Sequence, residues 1–459
     1  MGPPPAEMIR SLEYSLYWLF SLGTVVSTLF QIRIPTNSGE VNVNLGDPLA
    51  IMTALFVLGL AWQARSLSRF WRAPQLLQAL GLITIVLAGA LARGYAMYGP
   101  IDWAIFNRFI GWLILLAYFC SGALIVIVAG RSGMDALLRV LVASVTSLVI
   151  WELVRRFLAS DFNVALGGLP LPRAEAAAGN PNAFAFQLLM AFAALVAGRD
   201  FRTHRTSTAR SAAFGGLLLA GMWLAGSRAA AGALAAMIVA IAVMLPTSTD
   251  RPLYARKLAF ALIVGAIALT MPDLVAALIG GHKTYANLAA GFAALDTTNV
   301  QADRIESLRG GLAMWAAHPI FGAGLGAYIH EHIASTGAPL VIHNSPLWIA
   351  AEMGVVGLCA FGHLFARIGN ALRTERLWAG PDSQAVALAS IAALIVMSLA
   401  HDLMYQRLLW LILGAATASP LAARAQIRRS IAPLPRDAGE AQEGPHRFGF
   451  SNPNSSNRA

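Results

Sequence analysis

The chain has 459 residues, of which 57% are hydrophobic and only 12% are charged, whereas soluble domains carry about 25% charged residues. The mean hydropathy of +0.62 likewise excludes an ordinary soluble enzyme and favours a single membrane domain with many spans. Arginines in cytoplasmic loops explain the formal net charge of +10, and no basic face on a soluble module indicates binding to nucleic acid.

Apolar runs that are long enough to cross a bilayer, about 20 residues each, recur along the chain. We predict twelve transmembrane helices, near residues 13–31, 47–63, 75–92, 107–129, 136–157, 180–198, 211–227, 229–246, 258–279, 345–366, 384–400 and 408–422. The first run is expected to be a retained span rather than a removed signal peptide. Cys120 and Cys359 fall inside such runs and are expected to be core residues.

The distribution of basic residues predicts how these spans are oriented. Arginines cluster after the even-numbered runs, and the positive-inside rule then places both termini in the cytoplasm. The connections after the odd-numbered spans are expected on the periplasmic side. Four arginines lie on the side that the rule depletes, and binding of an anion would explain them: Arg155, Arg156, Arg173 and Arg228.

The connection from residue 280 to residue 344 is predicted to lie in the periplasm and to contain helices, because loops of this length rarely lack structure of their own. Residues 304–317 are predicted to form a helix that ends before Pro319. Its apolar side chains share one face: Ile305, Leu308, Leu312 and Trp315.

His343 closes this connection and is followed by Asn344. An imidazole suits proton abstraction because it titrates near physiological pH, although a histidine here could instead cap the next helix. The pattern His343-Asn-x-x-Leu-x-x-x-x-Glu352-x-Gly354 resembles the signature of O-antigen ligases. That resemblance implies that His343 removes the proton from a hydroxyl of the acceptor sugar. The segment departs from the pattern at Ser345-Pro346, which a first helical turn tolerates.

Two arginines are the predicted binders of the donor diphosphate. Arg304 precedes a Pro-x-x-Gly-x-Gly segment at Pro319, as in the same family, and this spacing selects it over Arg309, which is kept as a possible supporting residue. Arg304 could instead pair with a neighbouring carboxylate. Arg228 follows a serine between apolar residues, as the family's Ser-Arg does. A guanidinium offers planar paired donors to phosphate oxygens, so both residues would stabilise the leaving diphosphate.

Weaker candidates are expected to support these three residues, although an interfacial cap explains His401, Asp402 and Arg407 equally well. The weaker candidates are Asn344, His401, Asp402 and Arg407, together with Arg155 and Arg156, and the motif Gly179-Asn-Pro-Asn182 also resembles one of the family. No His-Glu-x-x-His, paired carboxylate or Walker motif is present in the sequence. We therefore predict a site without a metal ion or cofactor.

The resemblance covers most of the chain and implies an all-α integral membrane protein, similar to the GT-C class of glycosyltransferases. The predicted divisions are helices 1–9 at residues 1–279, the large periplasmic loop at 280–344, helices 10–12 at 345–424, and a disordered cytoplasmic tail at 425–459.

The implied activity is an inverting glycosyltransferase in the bacterial inner membrane. It moves a glycan from undecaprenyl diphosphate to an acceptor hydroxyl on the periplasmic face, with lipid A–core of lipopolysaccharide as the first choice of acceptor. O-antigen or exopolysaccharide polymerisation and protein O-glycosylation are the alternatives within the family. A transporter of lipid-linked glycans is the alternative of another class, but its polar groups would be expected midway through broken, repeated helices.

Overall fold

The computed structural model describes residues 18–36, 39–63, 74–161, 180–198, 208–244, 297–374 and 376–418. These residues are mostly helical. The helices, in chain order, are α1 Trp18–Thr28, α2 Asp47–Gln63, α3 Pro74–Tyr98, a π-helix Trp103–Ile110, α4 Gly111–Ala129, α5 Arg131–Asp161, α6 Pro181–Ala197, α7 Thr208–Ala225, α8 Arg228–Met244, α9 Thr297–Ala317, α10 Ala327–Thr336, α11 Ser345–Thr374, α12 Arg376–Ser398 and α13 Arg407–Thr417.

A helix lies at every predicted span except the ninth, 258–279, which falls outside the described residues. Among the described residues, four helical stretches are long and apolar enough to cross a membrane, namely Gln75–Tyr98, Trp103–Ala129, Arg131–Val154 and Ser345–Arg373. The other apolar helices in this part of the chain are shorter. The predicted helical membrane class is therefore confirmed, while the number of spans stays a prediction.

The core is formed where helices approach each other closely. Helices α4 and α13 are in contact at Gly122 and Gly414, where any side chain would overlap the backbone of the opposite helix. Beside this contact, the rings of Trp112 and Trp410 meet edge to face with centroids 5.1 Å apart, an arrangement that aromatic pairs favour. This tight pair brings the start of α13 to the start of α4, where the polar site lies.

A β-hairpin departs from the all-α prediction. Strand β1, Gln31–Thr36, pairs antiparallel with β2, Gly39–Asn44, so that Gln31 lies opposite Asn44 and Thr36 opposite Gly39. Asn107 of the π-helix holds the hairpin: its side chain accepts from Asn42 N at 2.9 Å and donates to Glu40 O at 2.6 Å. The hairpin therefore forms one rim of the site.

Helix α9 includes the predicted helix and ends before Pro319, as expected, but it begins earlier, at Thr297. The apolar face predicted from the sequence points outward, with Ile305 and Leu308 about half exposed. The opposite face packs on α11, because Gly311 leaves room for Leu347. A small residue, rather than the apolar face, thus sets how α9 lies against α11.

The segment after α9 inserts into a break in α11. Gly354 has a φ of +66° inside α11, a conformation that glycine adopts without steric cost. This break frees backbone groups, and Val355 N and Val356 N donate to the carbonyls of Pro319 and Ile320 at 2.9 and 3.1 Å. The loop therefore replaces hydrogen bonds that a straight helix would have made.

Candidate active site

A polar cavity of about 510 Å³ lies where the hairpin, the π-helix, α9 and the starts of α11 and α13 meet. It unites five of the predicted site residues, His343, Arg304, His401, Asp402 and Arg407, with Asn180 and Asn182 of the predicted motif and with residues that the sequence did not single out. Its other polar side chains include Gln31, Arg33, Glu40, Asn42, Asn107, Arg108, Asp303, Tyr405 and Gln406.

His343 is partly buried in the cavity wall, directly before α11. Burial lowers the pKa of His343 from its ordinary value, and the positive charge of Arg304 lowers it further. Asp402 and Asp303 act in the opposite direction and raise this pKa, but less strongly. The net effect keeps the imidazole neutral at physiological pH, so that a ring nitrogen can accept a proton.

Arg304 and Arg309 lie on the same helix but serve different cavities. Arg304, on an exposed turn of α9, lines the polar cavity with His343. Arg309 lines a separate cavity of about 1010 Å³ between α9 and α10, together with His332 and Tyr328. The structure thus brings Arg304 to the candidate site and leaves Arg309 outside it.

Arg108 is the main cavity residue that sequence reasoning missed. It lies on the π-helix, is only 2% exposed, and its Nη2 is 2.6 Å from Asp402 Oδ2. Its Nε has no hydrogen-bond partner among the described residues. An arginine inside an apolar run was itself a signal, because intramembrane charges are costly and usually functional.

Aromatic rings surround the Arg108 guanidinium. Its Cζ is 4.1 Å from the ring centroid of Trp103, 3.9 Å from that of Trp348 and 5.1 Å from that of Tyr405. Such contacts stabilise a desolvated cation by about 2 kcal/mol or more. The rings and Asp402 together fix Arg108 in one position beside the cavity.

Arg407 forms a structural clamp at the cavity rim. Its Nε and Nη2 donate to the two carboxylate oxygens of Asp47 at 2.6 and 2.8 Å, and Nη2 also donates to Asn42 O at 3.0 Å. Tyr118 donates to the same carboxylate at 3.1 Å. Arg407 therefore joins the start of α13 to α2 and the hairpin. These contacts within the protein explain why Arg407 lines the cavity, and no role in substrate binding is needed.

Asn344 and Ser345 hold the start of α11 in place. Asn344 caps the helix by accepting from Leu347 N at 2.8 Å, and its amide donates to Leu399 O at 2.8 Å. The Ser345 hydroxyl donates to His401 O at 3.2 Å. These bonds join the residue after His343 to the segment of His401 and Asp402, so Asn344 has a capping role.

Glu352, the other ionisable residue of the His-Asn pattern, has a structural role. Its buried carboxylate accepts from Trp348 Nε1 at 2.7 Å and from the backbone N–H groups of Gly326 and Tyr328. A carboxylate at the start of α10 satisfies donors that the helix leaves unpaired. Glu352 thus anchors the glycine-rich loop and the start of α10 to α11. Because His343 follows α10 along the chain, this anchor also restricts the segment that carries His343.

Several predicted residues stay predictions. The side chains of Arg155, Arg156 and Arg228 lie outside the described part of the structure, as does Arg173. Arg228 does begin α8, directly after Ser227, whose hydroxyl caps that helix at Ala230 N.

Asn180 confirms the capping interpretation of its motif, and the family role of the motif stays a prediction. Its side chain caps α6 by accepting from Asn182 N and Ala183 N at 2.8 and 3.2 Å, and it also lines the polar cavity. Within the residues that the structure describes, no group of three or more His, Cys, Asp or Glu side chains is arranged to hold a metal ion.

The fold and cavity define a helical membrane protein with a polar site walled by arginine, histidine and aspartate. Residues 213–362 match the family model for O-antigen ligases, which confirms the predicted resemblance to the O-antigen ligase and polymerase superfamily. The match includes Arg304, His343 and Glu352. The match covers residues 213–362, less of the chain than the sequence resemblance was expected to cover. Arg108 and Asp402 lie outside it. No curated protein matches the chain.

Proposed function

We propose that this protein is an inverting glycosyltransferase of the bacterial inner membrane, with its active site on the periplasmic face. It transfers a glycan from undecaprenyl diphosphate to an acceptor hydroxyl, and ligation to lipid A–core is the first choice of reaction. The observation that carries the proposal is the shared cavity, which both His343 and Arg304 line, and in which burial and Arg304 lower the pKa of His343.

The proposed reaction is one displacement at the anomeric carbon of the donor. The acceptor hydroxyl loses its proton to a ring nitrogen of His343, and the oxygen forms the new glycosidic bond. The bond from the anomeric carbon to the phosphate oxygen breaks, and its electron pair leaves with undecaprenyl diphosphate. Attack from the face opposite the leaving group inverts the configuration at that carbon.

Arginine side chains supply the positive charge that the departing diphosphate requires. Arg304 faces the cavity, and Arg228 is proposed as its partner from the sequence pattern. Fixed cationic donors stabilise charge that develops in the transition state, and they act without a metal ion. Asp402, fixed by Arg108, completes the charge balance around His343.

The polysaccharide profile of the cell envelope tests this function in a deletion strain of the source bacterium. Ligation to lipid A–core predicts that lipopolysaccharide loses its long polymer while lipid-linked polymer accumulates. A single repeat unit left on the core would instead identify a polymerase, and loss of glycan from proteins alone would identify protein O-glycosylation. Unchanged glycans in all three fractions would contradict the proposal.

A further inference from the structure

A third cavity, almost wholly apolar, lies beside the polar one. It has a volume of about 570 Å³ and lies between α2, α3 and α4. Leucines dominate its wall, among them Leu55, Leu58, Leu77, Leu80 and Leu113. The hydroxyl of Thr84, also in the wall, is already engaged, because it donates to Leu80 O and accepts from Trp112 Nε1, both at 2.9 Å.

The two cavities meet at the first turns of α4. Ile114 lines both of them, while Ile110 lines the apolar cavity and Gly111 the polar one. A single turn of helix therefore separates the charged site from the aliphatic wall. This adjacency matches a ligand that has a charged head and a long hydrocarbon tail.

The apolar cavity is open toward the side of the helical bundle. Leu55 and Leu58 on α2 are 62% and 49% exposed, and Leu113 on α4 is 42% exposed. Exposed aliphatic side chains of this kind face lipid in a membrane protein, because polar surroundings would disfavour them. A tail can thus enter from the bilayer while the head stays in the polar cavity.

We propose that this apolar groove, formed by residues 51–58 of α2, 77–84 of α3 and 110–120 at the junction of the π-helix and α4, binds the isoprenoid tail of the donor next to its diphosphate. The inference rests on the proposed function, since it requires a lipid diphosphate donor. It adds a location for the tail and predicts that the groove selects donors by the length of their chain.

Gly81 offers a way to fill the groove without disturbing the helices. It lines the groove, and a Cβ built on it meets no atom within 4 Å. Gly89 is the matched control, because it lies on the same exposed side of α3, has equally open surroundings and is not part of the groove wall. The variants are Gly81→Trp and Gly89→Trp.

The test is steady-state transfer by the full chain in nanodiscs, using one disaccharide diphosphate carried either on undecaprenyl or on geranyl. For Gly81→Trp we expect KM to rise about tenfold with the undecaprenyl donor and less than about twofold with the geranyl donor, because only the long tail loses apolar contacts. Gly89→Trp should resemble the unmodified protein with both donors.

The contrary outcomes distinguish a failure of the groove proposal from a failure of the proposed function. Equal impairment of Gly81→Trp with both donors, or no impairment with either, would overturn the groove. Failure of the unmodified protein to transfer from either donor would overturn the proposed function and the inference with it.

Should Gly81→Trp not insert into membranes, the unmodified protein can be labelled with an undecaprenyl diphosphate that carries a photoreactive group near its diphosphate. Labels are expected on residues 51–58, 77–84 or 110–120, and labels confined elsewhere would overturn the inference.

Discussion

At the scale of single residues, the charges around His343 act in opposite directions and can be separated. Arg304 lowers the pKa of His343, whereas Asp402 raises it. A general base is active in its neutral form, so the acid limb of the profile of kcat/KM against pH reports this pKa in the free enzyme.

The first prediction is that two substitutions move this acid limb in opposite directions. Arg304→Gln removes a lowering charge, so the pKa of His343 rises and the limb moves to higher pH. Asp402→Asn removes a raising charge, so the limb moves to lower pH. The measurement is kcat/KM of each variant from pH 4 to pH 9, about the range in which histidine and its neighbours titrate. Shifts of both variants in the same direction would contradict His343 as the titrating base.

The second prediction concerns binding of the donor. Arg304→Ala should weaken the binding of undecaprenyl diphosphate at least several-fold, because a hydrogen bond to a charged group contributes roughly 1.5–3 kcal/mol. Arg304→Lys should restore only part of this loss, since an ammonium lacks the planar pair of donors. Titration of each variant in nanodiscs measures the affinity.

Arg309→Ala is the matched control for this titration, because Arg309 lies on the same helix but lines the separate cavity. Equal losses in the Arg304 and Arg309 variants would indicate a general effect of charge on α9. They would remove Arg304 from the diphosphate site.

The sequence predicted some of these residues better than others, for physical reasons. His343 and Arg304 stand in polar segments between apolar runs, where a functional role is the simplest explanation, and both reach the cavity. Arg108 was absorbed into an apolar run, although its charge was the signal. Arg407 was a candidate, but its partner Asp47 lies far away in sequence, and no local pattern shows such a pair.

At the scale of elements, the site depends on the loop that enters the break in α11. Gly322 and Gly354 meet there, and a Cβ on either residue would overlap backbone atoms of the other segment. Both glycines also have positive φ values, 70° and 66°, which an L side chain adopts only at a cost. The glycine segment that follows Pro319 is therefore a docking contact between two backbones.

The third prediction is that Gly354→Ala strongly reduces transfer by displacing this loop and, with it, the segment that carries His343. Gly362→Ala should retain activity, because Gly362 lies on the same helix and its Cβ would meet no atom within 4 Å. Transfer rates and thermal unfolding in detergent measure both effects. Full activity and unchanged stability of Gly354→Ala would show that the contact is dispensable.

The hairpin shows what a helix-based interpretation of a membrane sequence overlooks. Residues 39–44, Gly-Glu-Val-Asn-Val-Asn, alternate polar and apolar side chains, and this alternation is the ordinary signal for a strand. The segment was treated only as a short connection between two spans. The helices themselves were easier to predict, because a helical span needs a long apolar run and no particular partner.

At the scale of the whole molecule, the chain places a charged cavity against an aliphatic groove, as an enzyme for an amphipathic donor requires. Polar and apolar regions of a ligand are then desolvated separately, each against a matching wall.

The fourth prediction follows from the arginines in the polar cavity: transfer should persist with EDTA in excess, because fixed cations neutralise the diphosphate. Inhibition by EDTA that Mg²⁺ reverses would show that a carboxylate site holds a required ion.

The most direct test of the central claim is transfer of a lipid-linked glycan by the purified protein and by its His343→Ala variant. We expect the unmodified protein to form the new glycosidic bond with inverted configuration. The variant should lose about 10²–10⁴-fold in rate while binding undecaprenyl diphosphate normally, and His363→Ala, which changes a histidine of α11 outside the polar cavity, should stay active. A His343→Ala variant that transfers at the unmodified rate would contradict the account.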